Sequence, residues 1–114
     1  MNTKIVYTSV FEKGYKRLHK RYKSLPDDLK TLITGLRDNP TMGVLLKYNL
    51  RKVRMAISSK SKGKSGGARV ITHTVLLAET AAEVVLVTIY DKSDMDNMTD
   101  KELLDIVKQC GLNT

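Results

Sequence analysis

The chain has 114 residues, 20 of them Lys or Arg and 12 Asp or Glu, so its net charge is +8, and it contains one cysteine. A length of this order predicts one domain, 1–114, in which a layer of helices covers one sheet. One cysteine excludes an intrachain disulfide framework, and no apolar run approaches the ~18 residues that a membrane-spanning helix requires. Because the first residues also lack the pattern of a secretory signal, we expect a soluble, cytoplasmic protein without membrane contact.

A short strand and two amphipathic helices are predicted at the start of the chain. Residues 3–9 are β-rich, and Ser9 with Glu12 has the spacing of a capping box that opens a first helix. Pro26 opens a second helix, which ends at Asn39 because a proline follows. Apolar residues recur at helical intervals in both segments, which predicts a helical hairpin on one face of a sheet. These residues are Phe11, Tyr15, Leu18, Tyr22, Leu29, Leu32, Ile33 and Leu36.

Three strands are predicted in the middle of the chain. The first, over 52–57, alternates apolar and basic residues, so its two faces differ in chemistry. Val53, Met55 and Ile57 form the apolar face, and Lys52 and Arg54 form the basic face. A glycine-rich loop, 58–67, leads to a second strand over 68–77, and the apolar run 83–90 predicts a central strand.

The last predicted element is a helix at the C-terminal end. Thr99 with Glu102 has capping-box spacing, and Gly111 closes the segment. Its apolar stripe consists of Leu103, Ile106, Val107 and Cys110. The order of elements is therefore βααβββα, and we expect an α+β fold with an antiparallel sheet.

The excess positive charge is confined to one part of the sequence. Between Asn39 and Ala78 there is no acidic residue, whereas the rest of the chain carries equal numbers of acids and bases. The basic residues of this segment are Lys47, Arg51, Lys52, Arg54, Lys60, Lys62, Lys64 and Arg69. A solvated loop could carry such charge, but the interleaving with apolar residues at strand spacing favours a face that binds a polyanion.

Two arginines in this segment are candidates for a phosphate site. If the strands on either side of the loop pair as a hairpin, Arg54 and Arg69 lie near each other, and an anion between them relieves their repulsion. His73 shares a face with Arg69 but lies about 13 Å further along the strand, so we leave it out of the site. No cluster of His, Cys and carboxylates has metal-ligand spacing, and we expect neither a metal nor a cofactor.

The runs KVRMAI, KGKSGGARVI and TIYDKS, followed by a short C-terminal helix, resemble the RelE/ParE superfamily of bacterial type II toxins. The resemblance covers residues 7–107 and is nearest to the RelE- and HigB-like mRNA interferases. It implies a RelE-like fold and a ribosome-associated endoribonuclease that cleaves mRNA without a metal, through attack of the RNA 2′-hydroxyl on the adjacent phosphate.

The resemblance also assigns candidate site residues. It places Arg54 and Arg69 on the scissile phosphate and Lys92 on the leaving side. Residues 93–114 contain no aromatic side chain, unlike the best-known RelE-type enzymes, so Tyr90 is inferred from its location as the group that stacks on a base or relays a proton. The predicted RNA contacts are Lys52, Lys60, Lys62 and Lys64.

The expected partners are a cognate antitoxin, mRNA and the ribosomal RNA, with operator DNA contacted only through the antitoxin. Two alternatives remain open at this point: a ParE-like inhibitor of DNA gyrase on the same fold, and a nucleic-acid-binding module without catalytic activity.

Overall fold

The computed structural model describes residues 2–60 and 66–112. Its helices and strands, in chain order, are β1 (Asn2–Tyr7), α1 (Ser9–Arg21), α2 (Leu25–Asp38), β2 (Val44–Leu45), β3 (Leu50–Met55), β4 (Ala68–Ala78), β5 (Ala81–Asp91) and α3 (Asp100–Cys110). The predicted order is confirmed, with the addition of the two-residue strand β2. In the part of the chain described, no helix has the length and apolar character needed to cross a membrane.

The five strands form one sheet in the order β1-β5-β4-β3-β2. β2, β3, β4 and β5 pair antiparallel, but β1 runs parallel to β5, with Asn2 opposite Ala81 and Tyr7 opposite Leu86. The prediction of a wholly antiparallel sheet is therefore wrong at β1. α1 and α2 follow β1 and carry the chain to the far side of the sheet, and so long a connection allows a parallel pair. The fold is α+β with a mixed sheet.

Thr8, rather than Ser9, caps the first helix. Its hydroxyl oxygen accepts a hydrogen bond from the Phe11 N–H at 3.1 Å and donates one to the Val87 carbonyl at 2.7 Å. The capping box predicted at Ser9 is thus wrong, because the preceding threonine can satisfy the helix and hold it to β5 with the same hydroxyl.

One face of the sheet is buried under α1 and α2. Val53, Val70 and Ile89 lie in register across β3, β4 and β5 and are at most 3% exposed. Gly14 lets α1 lie close to the sheet, because a Cβ there would be only 3.0 Å from the Ile89 carbonyl oxygen. The helix propensity lost at this glycine is the cost of close packing.

The opposite face is only partly covered, by α3. Leu103 and Val107 pack against Leu50, Ile71 and Val87. Thr99 and Glu102 form the predicted capping box, and Gly111 ends α3 in the left-handed conformation with φ 64°. The half of this face that includes Arg54 has no helix over it among the described residues, and it holds the candidate site.

Candidate functional site

Arg54, Arg69 and Tyr90 form a row across three adjacent strands. Arg54 of β3 lies opposite Arg69 of β4, and Arg69 lies opposite Tyr90 of β5. Side chains of directly opposed residues share a face of the sheet, with Cβ atoms about 5 Å apart. The predicted proximity of Arg54 and Arg69 is confirmed, and Tyr90 extends the row.

The row passes from solvent into the protein. The Arg54 side chain is exposed, whereas Arg69 is 3% and Tyr90 8% exposed. The Arg69 guanidinium donates to the Ala68 carbonyl at 3.1 Å. The buried Tyr90 hydroxyl has no hydrogen-bond partner among the described residues. A phosphate arriving from solvent therefore meets Arg54 first, with a second guanidinium and a phenol behind it.

Burial fixes the protonation of Tyr90. Desolvation raises the pKa of the phenol above its usual value near 10, and the nearby Arg69 cation offsets only part of that effect. The phenol is therefore neutral at physiological pH. In that state it can donate a hydrogen bond or a proton, but it cannot act as a base.

Lys92 follows the end of β5 and is held at two points. Its backbone N–H donates to the Gly67 carbonyl at 3.0 Å, which joins it to the end of the glycine-rich loop. Its ammonium lies 2.6 Å from Asp96, and this ion pair lowers the pKa of Asp96. The Asp96 side chain is 82% exposed, and ion pairs at the protein surface are weak. A phosphate can therefore take the place of the carboxylate.

The segment between β5 and α3 lies along the basic face. The Lys52 ammonium donates to the Asn97 amide oxygen at 2.8 Å, and the Lys47 ammonium lies 3.0 Å from Asp100. Met95 and Met98 pack against the cluster that contains Tyr90. Residues 92–100 thus pair with cations of the basic face and pack against the cluster that contains Tyr90.

Lys60 has a structural role within the protein. Its ammonium lies 2.6 Å from Asp91 and donates to the Gly66 carbonyl at 2.9 Å, and its side chain is 11% exposed. Lys60 thus supplies the cation that the fully buried Asp91 requires, and its predicted contact with RNA stays a prediction. Lys62 and Lys64, also predicted as RNA contacts, lie outside the described residues.

Asp91 is a buried carboxylate on which several side chains converge, and the sequence analysis does not predict this role. Besides Lys60, its carboxylate accepts hydrogen bonds from the Tyr22 hydroxyl at 2.6 Å and from Ser93, and lies 3.1 Å from Arg21. Burial alone would raise the pKa of Asp91, but the bonds from Lys60, Tyr22 and Ser93 outweigh it and hold that pKa well below its usual range. The sequence signal that could have revealed this role is the position of an acidic residue directly at the end of a buried apolar strand.

Both ends of the loop 58–67 are anchored beside the row. At its start, the buried Asp28 accepts hydrogen bonds from the Ser58 N–H at 3.0 Å and the Ser58 hydroxyl at 2.6 Å. At its end, Gly67 lies so close to β3 that a Cβ would be 2.1 Å from the Met55 carbonyl oxygen. These contacts hold the backbone on both sides of Arg54 and Arg69.

The fold and the site together define a small α+β domain with a basic sheet face, in which two arginines and a neutral phenol form a row. In comparisons with known proteins, the sequence matches no family model and no curated protein.

Proposed function

We propose that this protein is a toxin of a type II toxin-antitoxin system, similar to the RelE- and HigB-like mRNA interferases, which cleaves mRNA at the ribosome in the cytoplasm. The observation that carries the proposal is the row of Arg54, Arg69 and Tyr90 in register on the basic face. The concentration of the net charge in residues 40–77 supports a polyanionic substrate.

The chemistry follows from what RNA itself supplies. The 2′-oxygen attacks the adjacent phosphorus, the bond to the 5′-oxygen breaks, and the products end in a 2′,3′-cyclic phosphate and a 5′-hydroxyl. The proton of the 2′-hydroxyl leaves to a base, and the departing 5′-oxygen takes up a proton. The protein has to align these atoms and stabilise the extra negative charge of the transition state.

The row can divide this work among its members. Arg54 holds the non-bridging phosphate oxygens in two-point contact, and Arg69 adds positive charge from beneath. Tyr90 is neutral and therefore suited to protonate the leaving 5′-oxygen, with Lys92 beside it. Because Met95 and Met98 pack against the cluster that contains Tyr90, we expect RNA to displace part of residues 92–100 as it binds.

Primer extension on a test message tests the proposal. Induction of the wild-type protein should produce discrete cuts within codons of translated mRNA, and Arg54→Ala should reduce cutting about a hundredfold. Arg37→Ala is the matched control, since Arg37 is an exposed arginine on α2, outside the row. Growth arrest with intact message would contradict the proposal.

The second candidate is a ParE-like inhibitor of DNA gyrase on the same fold, in which Arg69 and Tyr90 would have structural roles. Arg69 is 3% exposed and Tyr90 8% exposed, which suits structural roles as well as catalytic ones. This candidate predicts that purified protein blocks supercoiling of plasmid DNA by gyrase and leaves RNA intact. Binding to RNA without cutting or gyrase inhibition would instead identify a non-catalytic nucleic-acid-binding module.

The proposed toxin requires an antitoxin, and the site indicates its chemistry. Asp96 and Asp100 already place carboxylates on Lys92 and Lys47. An acidic segment of the antitoxin that reaches Arg54 as well would block access of the phosphate. Operator DNA would then be contacted through the antitoxin.

A further inference from the structure

The outer edge of β4 is open beyond His73. β4 runs from Ala68 to Ala78, but its pairing with β3 ends at His73, opposite Leu50. Over residues 74–78, no described strand lies beside this edge, although β5 pairs with the other side. The Thr74 hydroxyl donates to the Pro40 carbonyl at 2.7 Å, and beyond it the edge has no neighbouring strand among the described residues, the arrangement to which another strand can be added.

The side chains on this edge are apolar and exposed. Val75, Leu76 and Leu77 are 40%, 62% and 63% exposed, and the register of β4 with β5 shifts between Leu76 and Ala78. No charged residue occurs in 70–78. The other edges of the sheet are better protected: β1 carries Lys4 near its middle, and β2 has only two residues.

Two opposite charges flank the apolar edge. Arg51 lines a notch of about 530 Å³ at one end, together with Thr74 and Leu76. Glu79 follows β4 at the other end. Neither has an ion-pair partner among the described residues.

We propose that this edge is the interface of a homodimer, in which residues 74–78 of two copies pair antiparallel about a twofold axis near Leu76. The segment is self-complementary in this arrangement: Leu76 meets Leu76 of the second copy, and Val75 meets Leu77. The same axis brings Glu79 of each copy close to Arg51 of the other copy. The dimer would therefore contain two Arg51–Glu79 ion pairs. A second copy therefore satisfies the backbone, the apolar side chains and the charges together.

Sedimentation equilibrium over a range of concentrations tests the dimer. The wild-type protein should have twice the monomer mass of 12.8 kDa. Leu76→Lys should raise the dissociation constant about a hundredfold, because it removes two buried leucines and opposes two like charges. Tyr7→Lys is the matched control, since Tyr7 is also 62% exposed but lies at the far end of β1, and it should leave the dimer intact.

Two further experiments test the axis and the charges. In a Cys110→Ser background, Leu76→Cys should form a disulfide-linked dimer under mild oxidation, because residues opposed on the axis have the separation that a disulfide needs. Arg51→Glu and Glu79→Arg should each weaken the dimer roughly tenfold, and the double variant should restore it. A monomer at all concentrations, or a dimer that Tyr7→Lys disrupts and Leu76→Lys does not, would overturn the proposal.

Discussion

The two faces of the sheet carry different side chains, although residues adjacent in the sequence supply them. Val53, Val70 and Ile89 form a row on one face. The residues adjacent to them in the sequence, Arg54, Arg69 and Tyr90, form a row on the opposite face. The first row is sealed beneath α1 and α2. The second begins in solvent at Arg54 and ends at a buried phenol.

The comparison of the two rows suggests that the apolar row stabilises the fold and that the second row forms the candidate site. The apolar row removes side chains from water and so holds the strands in register. The second row uses that register to place two arginines on directly opposed strand positions of one face. A change in the first row should therefore unfold the protein, whereas a change at the open end of the second should leave the fold intact and abolish activity.

Val70→Asp should have the largest effect on stability. It places an unpaired carboxylate in the core and should reduce the free energy of unfolding by more than about 4 kcal/mol. Arg54→Asp introduces the same side chain at an exposed position and should change stability by less than about 0.5 kcal/mol. Urea denaturation followed by circular dichroism measures both. Equal destabilisation by the two variants would break the distinction between the rows.

Asp91→Asn should be the next most damaging change. It leaves the Lys60 ammonium in a poorly solvated position without its counter-charge. The free energy of unfolding should therefore fall by about 3 kcal/mol. Asp96→Asn removes an exposed carboxylate from Lys92 and serves as the control, with no measurable change in the same denaturation experiment. A similar loss in both variants would show that burial of Asp91 is not what matters.

The same carboxylate predicts a dependence on pH. Because the folded-state pKa of Asp91 is below its unfolded value, its contribution to stability is complete above pH of about 4 and is lost as the pH falls further. Thermal melts between neutral pH and pH of about 3 should show a fall in Tm that is steeper in the wild-type protein than in Asp91→Asn. Parallel curves would assign the acid sensitivity to other groups.

Tyr90→Phe should affect activity alone. It removes a hydroxyl that has no described hydrogen-bond partner, so stability should be unchanged or slightly higher. Loss of the proton donor should slow RNA cleavage about a hundredfold. Single-turnover cleavage on programmed ribosomes measures the rate, and an unchanged rate would remove Tyr90 from the chemistry.

The smallest expected effect concerns the ion pair between Lys92 and Asp96. Asp96→Asn frees Lys92 from its carboxylate and should tighten RNA binding by about twofold to threefold. Filter binding at several salt concentrations measures the change. Weaker binding in this variant would mean that Asp96 helps to hold Lys92 in the position that RNA requires.

Local sequence patterns were sufficient for much of this structure. The helical stripes, the capping box at Thr99 and the alternation over 52–57 each depend on neighbours within a few residues, and all three were predicted correctly. The pairing of Arg54 with Arg69 followed because a hairpin brings consecutive strands together.

The features that were missed depend on residues far apart in the chain. β1 pairs with a strand some 80 positions later, and nothing in its own sequence specifies a parallel neighbour. Lys60 reads as one more cation of a basic loop until Asp91, 31 residues away, is found buried beside it. Burial of a charged group is a tertiary property, and here it gives Lys60 a structural role that its local sequence does not indicate.

The most direct test is the chemistry of the cut ends. Ribosomes carrying a 5′-labelled message would be incubated with the wild-type protein, with Arg54→Ala and with Arg37→Ala. The account predicts a 5′ fragment ending in a 2′,3′-cyclic phosphate for the wild type and Arg37→Ala, and its loss with Arg54→Ala at unchanged stability. Full-length message in every lane, or equal cutting by Arg54→Ala, would contradict it.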